Sequence, residues 1–422
     1  MYVYFGNRNP NSYTVKTSEA GDLVDIRRSG YITFDNLAFT GAGNNTFNII
    51  QSRKITVKNC SISLTGADAV FGNYSPFVTV DNCTIDQTLS GGINLDAGCI
   101  NSAITNNYIK NVGLYAGMGK SGTGTYEGVT SFGDNTRIEK NRIDSIGYNG
   151  IYFGGSDSYA KNNYITYFCM TKDDGAGIYI GDWTKTVNKK VVGNIVLHGI
   201  GNSAGTNYPP SLQAEGIYID DNTESVTISD NTVSLCANNG IKIHNAKDIT
   251  IYNNTVINNG VQLRLEQDHY VATSSLIRNN QIRNNTFIST NSRQSAAKFS
   301  SHQDDISSFG QLDNNFYSKA KNEGKAIVAT SVKGGRDVKQ GYDLSNWQSA
   351  YGKDGSSTEL SANDQLLFEY NATNSVKVVS LSKPYVDIHN NVHTGKVRID
   401  PYSSIVLVAG ASRMPARLLA SR

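Results

Sequence analysis

Proline is scarce in this chain, with 7 residues in 422. Proline removes a backbone donor, so its scarcity suits a fold in which nearly every N–H feeds a ladder. Charge is thin as well. Lys+Arg number 38 against Asp+Glu 36, a net of +2, and only 18% of residues are charged. No basic cluster interleaves with aromatics, so the electrostatic footprint of a nucleic-acid binder is missing. No apolar run approaches the length of a membrane span. The opening Met1-Tyr2-Val3-Tyr4-Phe5 has neither the charged nor the apolar region of a leader peptide. No Gly-x-Ser-x-Gly elbow follows a strand and opens a helix, which leaves serine hydrolase chemistry without support. Cysteines number 5, an odd count, so at least one thiol is unpaired. Cys60 and Cys83 could bridge, but buried free thiols fit their setting better, and cysteine does not decide the compartment.

What is abundant is Gly (40) and Tyr (24), and a recurring short phrase. A small polar residue stands two places before an aliphatic one in Cys60-Ser61-Ile62, Cys83-Thr84-Ile85, Asn107-Tyr108-Ile109, Asn141-Arg142-Ile143, Asn163-Tyr164-Ile165, Asn194-Ile195-Val196, Asn231-Thr232-Val233, Asn254-Thr255-Val256 and Asn280-Gln281-Ile282. Leu37-Ala38-Phe39 is an earlier, apolar version. By subtraction the steps are 23, 23, 24, 34, 22, 31, 37, 23 and 26. A period in the low twenties with occasional long steps is that of a solenoid with loop insertions. Within each repeat the alternation is that of strands, as in Val226-Thr227-Ile228-Ser229 and Ile249-Thr250-Ile251-Tyr252. A second strand recurs upstream: Gly150-Ile151-Tyr152-Phe153, Gly177-Ile178-Tyr179-Ile180, Gly216-Ile217-Tyr218-Ile219, Gly240-Ile241-Lys242-Ile243. The repeated Asn marks an inward corner where side-chain amides can bond from coil to coil.

These repeats resemble the right-handed parallel β-helix superfamily of pectate lyases, polygalacturonases and other bacterial carbohydrate-active proteins. The resemblance implies an all-β protein: a right-handed parallel β-helix of about ten coils, followed by a small antiparallel β-domain. The β-helix is expected over 1–340, clearest over 20–300, and the C-terminal β-domain over 341–412. The segment 413–422 reads as a disordered or cloning-derived tail. Asp343 to Gln348 reads as an N-capped short helix. Strand-like runs follow at 366–370, 376–381, 385–388, 396–399 and 404–408. The module is expected to cap the open end of the solenoid, with sugar binding as its other role. Relatives of this type usually carry a leader and earlier coils, so the chain is expected to be the C-terminal part of a longer exported protein. The expected location is secreted, periplasmic or cell-surface. The expected partner is a carbohydrate substrate and the expected state a monomer, with no nucleic acid and no membrane span.

Long steps locate loops, and loops carry function. Asn111–Tyr126, the stretch around Thr171-Lys172-Asp173-Asp174, and His198 to Gln213 all leave between the Asn corner and the Gly-Ile-Tyr strand. They should rise on one side and wall a groove. If the Ile residues point inward, their neighbours point outward. Aligning strands on their glycines gives one outward column of Asn94, Thr130, Tyr152, Tyr179, Tyr218, Lys242 and Gln262. The second holds Asp96, Phe132, Gly154, Gly181, Asp220, His244 and Arg264. Tyr152, Tyr179 and Tyr218, beside small Gly154 and Gly181, are the expected sugar platform.

Carboxylates supply the candidate chemistry. Glu215 precedes a strand ending in Asp220-Asp221, and Asp182 falls in register with Asp221 one coil away. Stacked carboxyls at the ~4.8 Å coil spacing would lie near the ~5–5.5 Å separation of retaining glycosidases. Asp174 joins them, because Asp173-Asp174 looks like the paired aspartates of polygalacturonases. His198-Gly199 is similar to the Gly-His-Gly of that family, but Leu197 precedes it and no Arg-x-Lys lies nearby. The expectation is a glycoside hydrolase with Glu215, Asp182, Asp220, Asp221 and Asp174 as catalytic candidates and no required cofactor, although clustered carboxylates could hold Ca²⁺. The alternatives are a uronate lyase drawing on Lys242, His244 or Arg264, and a non-catalytic carbohydrate-binding or surface solenoid.

Overall fold

A computed structural model describes residues 5–409 apart from 123, 182–184, 203–211, 269–275, 321–324, 363–365 and 390. Each coil contributes up to three short strands, which stack into sheets of 13, 11 and 12 strands. Pairing between coils is parallel throughout the solenoid, for example Tyr152↔Tyr179, Val191↔Ile228 and Val196↔Val233. Inward Ile, Val, Leu and Phe from the three sheets fill one continuous core from Ile26 to Trp347.

The corner between the second and third sheets explains the repeated phrase. The residue just before each polar member is left-handed: Asn82 (φ 50), Asn106 (φ 57), Lys140 (φ 55), Asn162 (φ 55), Asp230 (φ 59), Asn253 (φ 57). Asn and Asp tolerate that region better than most L-residues. The next side chain then turns inward and bonds to the following coil. Asn163 donates Nδ2 to Ile138 O and to Asn194 Oδ1, both at 2.9 Å, and its backbone N–H bonds to the same Asn194 Oδ1. The ladder passes through Asn107, Asn141, Asn163, Asn194, Asn231, Asn254, Asn285 and Asn315, and ends on Ser357. Asn280 departs from the expected repeat. It is not a rung; it lies in the second-sheet strand Asn280–Arg283, and the rung is Asn285. Asn280 does accept from Ile249 N–H, so both asparagines serve inter-coil bonding and only position in the coil separates them.

The five cysteines are all free and buried. Cys60 and Cys83 occupy the first places of the same ladder, where Cys60 N–H points to Cys83 Sγ at 3.4 Å. Burial pushes the Cys83 thiol up to about 12.

The expected helix spans Leu344–Tyr351, with Asp343 accepting from Asn346 N–H at its N-terminus and Gly352 (φ 64) ending it. Trp347 is fully buried, stacks on Phe299 at 4.7 Å, and donates Nε1 to Asp354 at 2.9 Å. This helix closes the end of the solenoid core. The third sheet continues to Thr358–Ala362, which pairs in parallel with Phe316–Ala320. The antiparallel strands after it have a different place from the expected cap. They lie along the flank of the third sheet, where Val406 meets Ile257, Ile288 and Phe316, and Thr232 bonds to Ser404. The tail at 413–422 lies outside the described residues.

Candidate active site

The three long insertions leave at one corner, as expected. They connect Tyr108–Val112 to Val129–Ser131, Tyr164–Phe168 to Gly175–Ile180, and Ile195–Gly199 to Ala214–Ile219. Two of them are tied together by Lys172, whose ammonium donates to Gly122 O and Thr125 Oγ1, both at 2.7 Å, and lies over Tyr126 and Tyr148. Tyr208, in the third insertion, lies outside the described residues.

The outward face of the first sheet carries the cluster. Its strands Gly175–Ile180, Ala214–Ile219 and Asn239–His244 are in register through Tyr179↔Tyr218↔Lys242. The next strand, Val261–Gln267, sits differently from the glycine alignment. Lys242 pairs with Arg264 and His244 with Glu266. Gln262 is therefore not outward in this row; it is fully buried and bonded to Asn259. A slip of two residues preserves strand alternation, so alternation alone cannot reveal it. Leu263 and Leu265 against Ile241 and Ile243 carried the correct register.

The register brings Asp220, Asp221 and His244 together. Each offers one donor atom, and these atoms all lie within 4.8 Å of one another. Asp220 Oδ2 accepts from the Tyr179 hydroxyl at 2.7 Å, and its Oδ1 lies 2.7 Å from His244 Nδ1. His244 Nε2 reaches Asp268 at 3.0 Å, and Asn245 donates to both Asp221 and Asp268 at 2.8 Å. Burial pulls the imidazole down, but the bond to Asp220 and the surrounding carboxylates outweigh it and raise His244 to about 9. Burial likewise works against ionised Asp220, yet the bond from His244 holds its carboxyl below the usual range. Asp221 moves the opposite way: burial raises it, against the bond from Asn245 and the charge of His244. Neighbouring carboxyls are thus pushed apart, the pattern that separates acid from base. For Ca²⁺ the described donor set is poor, since that ion takes 6–8 oxygens and one donor here is an imidazole.

The other sequence candidates differ in burial and partners. Glu215 is fully buried beneath this face. Its oxygens accept from Asn238 Nδ2 at 3.0 Å and from the Asn239 backbone at 2.6 Å, and Lys242 Nζ stands 3.8 Å away. Glu127 takes the matching buried place three coils earlier, bonded to Thr130 and Asn149, and burial raises it to about 7. Both glutamates bond to the next coil, through Asn238 and Asn239 for Glu215 and through Asn149 for Glu127. Asp174 is exposed as a residue; crowding around its carboxyl raises it, and Lys242 opposes that shift. Its neighbour Asp173 is buried. His198 stacks on Tyr167 at 4.8 Å on the third sheet. Asp182 lies outside the described residues.

The tyrosine platform takes another form. Phe132, Tyr152, Tyr179 and Tyr218 pack edge to face, with interplanar angles of 88°, 78° and 83°. Tyr218 is only 3% exposed, and the Lys242 ammonium lies over it at 4.4 Å. A flat sugar-stacking row is therefore not formed. The rings instead support the cluster, with Tyr179 positioning Asp220. Lys242 is itself buried; burial opposes its charge, but Glu215 and Glu266 hold it protonated above its usual range. Arg264 is engaged by Glu266. Sequence reasoning missed Glu266, Asp268 and Asn245, and the misplaced register of Val261–Gln267 is the reason for the first two.

Among the described residues no helix is long and apolar enough to cross a membrane. No curated protein matches the sequence. Among solved structures the chain is similar to the Dettilon tailspike protein at 13% identity, covering 89% of this chain and 69% of that one, TM-score 0.39. A mutant tailspike protein of E. coli bacteriophage HK620, in complex with pentasaccharide, is 10% identical over 93% of this chain and 81% of its own, TM-score 0.44. The catalytic unit of an alpha-1,3-glucanase from Streptomyces thermodiastaticus is 13% identical over 74% of this chain and 62% of its own, TM-score 0.37. Residues 11–165 and 134–333 match the family model of the right handed beta helix region, and with its stacked parallel sheets the chain belongs to the right-handed β-helix family.

Proposed function

We propose that this protein is a glycoside hydrolase of exported or surface type, acting on a polysaccharide or its oligosaccharides. One observation carries the reading. Asp220 and Asp221 follow one another at the end of the strand Ala214–Ile219 on the first sheet, with carboxyl oxygens within 4.8 Å, and their proton affinities are shifted in opposite directions. Asp221 is the general acid that protonates the leaving oxygen. Asp220, held ionised by His244 and Tyr179, is the carboxylate that meets the developing oxocarbenium carbon. Their spacing is closer to the ~5–5.5 Å of retaining enzymes than to the ~6.5–9.5 Å of inverting ones. Asp174, which senses the charges of Lys242, Asp220 and His244, is a further carboxyl beside the same cluster.

The three basic candidates Lys242, His244 and Arg264 suit hydrolysis better than β-elimination. A lyase needs a free base for the C5 proton. Lys242 and His244 are instead held protonated by carboxylates, and Arg264 is paired.

The test is a digest of neutral and uronate-containing polysaccharides, followed by reducing-end release and by ultraviolet absorbance of unsaturated uronates. Reducing ends without that absorbance, abolished by Asp221→Asn, are expected. Absorbance rising with the reducing ends would overturn hydrolysis in favour of elimination.

A further inference from the structure

We propose that the cleft beside the carboxylate cluster is a subsite for a sugar bearing an anionic group, a carboxylate or a sulfate, so that the glycan processed here is an acidic one. The inference rests on the hydrolytic reading above and names its substrate class.

The first outward column of the sheet changes character along its length. After Tyr152, Tyr179 and Tyr218 it continues as Lys242, Arg264 and Lys298 on successive coils. Coils stack at about 4.8 Å, so three cations follow one another at close range. Glu266 compensates the first two: it bonds to Arg264 and stands 3.6 Å from Lys242. Nothing comparable serves Lys298. It is half-buried and has no ion pair or hydrogen bond among the described residues, and burial, Arg264 and Lys339 all pull its proton affinity down. Arg264 Nε is also buried without a hydrogen-bond partner among the described residues.

These groups line one cleft of about 340 Å³, together with Lys339, Ser300 and Thr330. Lys339 comes from the antiparallel strand Arg336–Tyr342, opposite Thr330. The cleft also holds acids. Glu266 is taken by Arg264 and Lys242, and Asp268 by His244 and Asn245, while Asp337 is exposed near the hairpin turn. Stacked like charges and an unmet donor are costly unless something answers them. An anion on a sugar ring does so, with the ring hydroxyls meeting Ser300 and Thr330. Glu266 and Asp268 border both this cleft and the cluster, so one glycan chain would occupy the two together.

The test measures binding of the full chain to immobilised polygalacturonate, alginate, a sulfated galactan and neutral glucans at low and high salt. The expected result is retention of an acidic glycan, not of neutral ones, with salt sensitivity. The Lys298→Met/Lys339→Met double variant should bind at least about tenfold more weakly, with melting unchanged or raised because like charges are removed, and Lys298→Arg/Lys339→Met should keep part of the binding that the double variant loses. Uronate against sulfated probes identifies the anion. Equal binding of neutral glucans, undiminished binding by the double variant, or no acidic binding at all overturns the subsite. Acidic binding without reducing-end release would instead sink the hydrolytic reading and leave the subsite standing.

Discussion

His244 Nδ1 lies 2.7 Å from Asp220 Oδ1, while its other nitrogen reaches Asp268 at 3.0 Å. The imidazole is clamped between two carboxylates, one from the coil on each side of its own, and is raised to about 9. A raised group contributes stability fully below its unfolded value, near 6.5, and loses it as pH climbs through the folded value. Depressed Asp220 contributes above the ordinary carboxylate range and loses it in acid. The His244–Asp220 pair should therefore contribute evenly between roughly pH 5 and 6.5 and lose its contribution toward pH 9 and beyond, on top of an earlier decline from buried Glu127 as pH climbs through about 7. His244→Asn should flatten the alkaline fall and cost about 2 kcal/mol at the plateau. Identical alkaline falls in both proteins would refute the clamp.

If Asp221 is the acid and Asp220 the nucleophilic carboxylate, as proposed, the same shifts predict the activity profile. Rate should fall in acid as Asp220 takes a proton, and fall on the alkaline side as Asp221 loses one, giving a bell displaced toward acid pH. Asp221→Asn and Asp220→Asn should each lower kcat by about 10²–10⁴-fold. Retention of most activity in either variant, measured by reducing-end release, would remove that residue from the chemistry.

Glu215 should behave as a support. It is fully buried and accepts from Asn238 and Asn239 while facing Lys242. Glu215→Gln should cost about 1–3 kcal/mol, since a buried acceptor loses charge-assisted partners, and should leave kcat within about tenfold, far short of the loss expected for a general acid. A fall in kcat comparable to that of Asp221→Asn, without loss of stability, would return Glu215 to the catalytic set.

The amide ladder should be a major source of stability. Asn163→Ala removes the acceptor for Asn141 and the donor to Ile138 O. A loss of about 2–4 kcal/mol is expected, because several buried groups are left unpaired. Urea unfolding reads this directly; a midpoint unchanged from wild type would mean that water replaces the rung at no cost.

The closing helix makes a separate prediction. Trp347→Ala removes a fully buried ring from Phe299 and an N–H from Asp354. The cost should be about 3–5 kcal/mol, with increased self-association once the end of the solenoid is uncovered. Light scattering and melting together check it.

Much of the fold was legible in the chain. The spacing of Cys60, Cys83, Asn107 and Asn141 gave the coil because each corner needs a left-handed residue followed by an inward bonding side chain. Asn280 carries the same local signature without being a rung: it too is an inward bonding asparagine followed two places later by an inward Ile. The site was legible only where strand ends aligned, as for Asp220, Asp221 and His244.

The sequence by itself determined the parallel coil, the amide ladder, the inward aliphatic stripe and the corner from which the loops rise. All of these follow from local periodicity and from which residues tolerate a left-handed turn. Tertiary structure alone decided that Glu215 and Tyr218 are buried, that Asp268 joins His244, and that Arg264 continues the column of Lys242. The reason is physical. Coils here vary in length, and strand alternation repeats every two residues, so a two-residue slip leaves the pattern intact while changing every neighbour on the next coil.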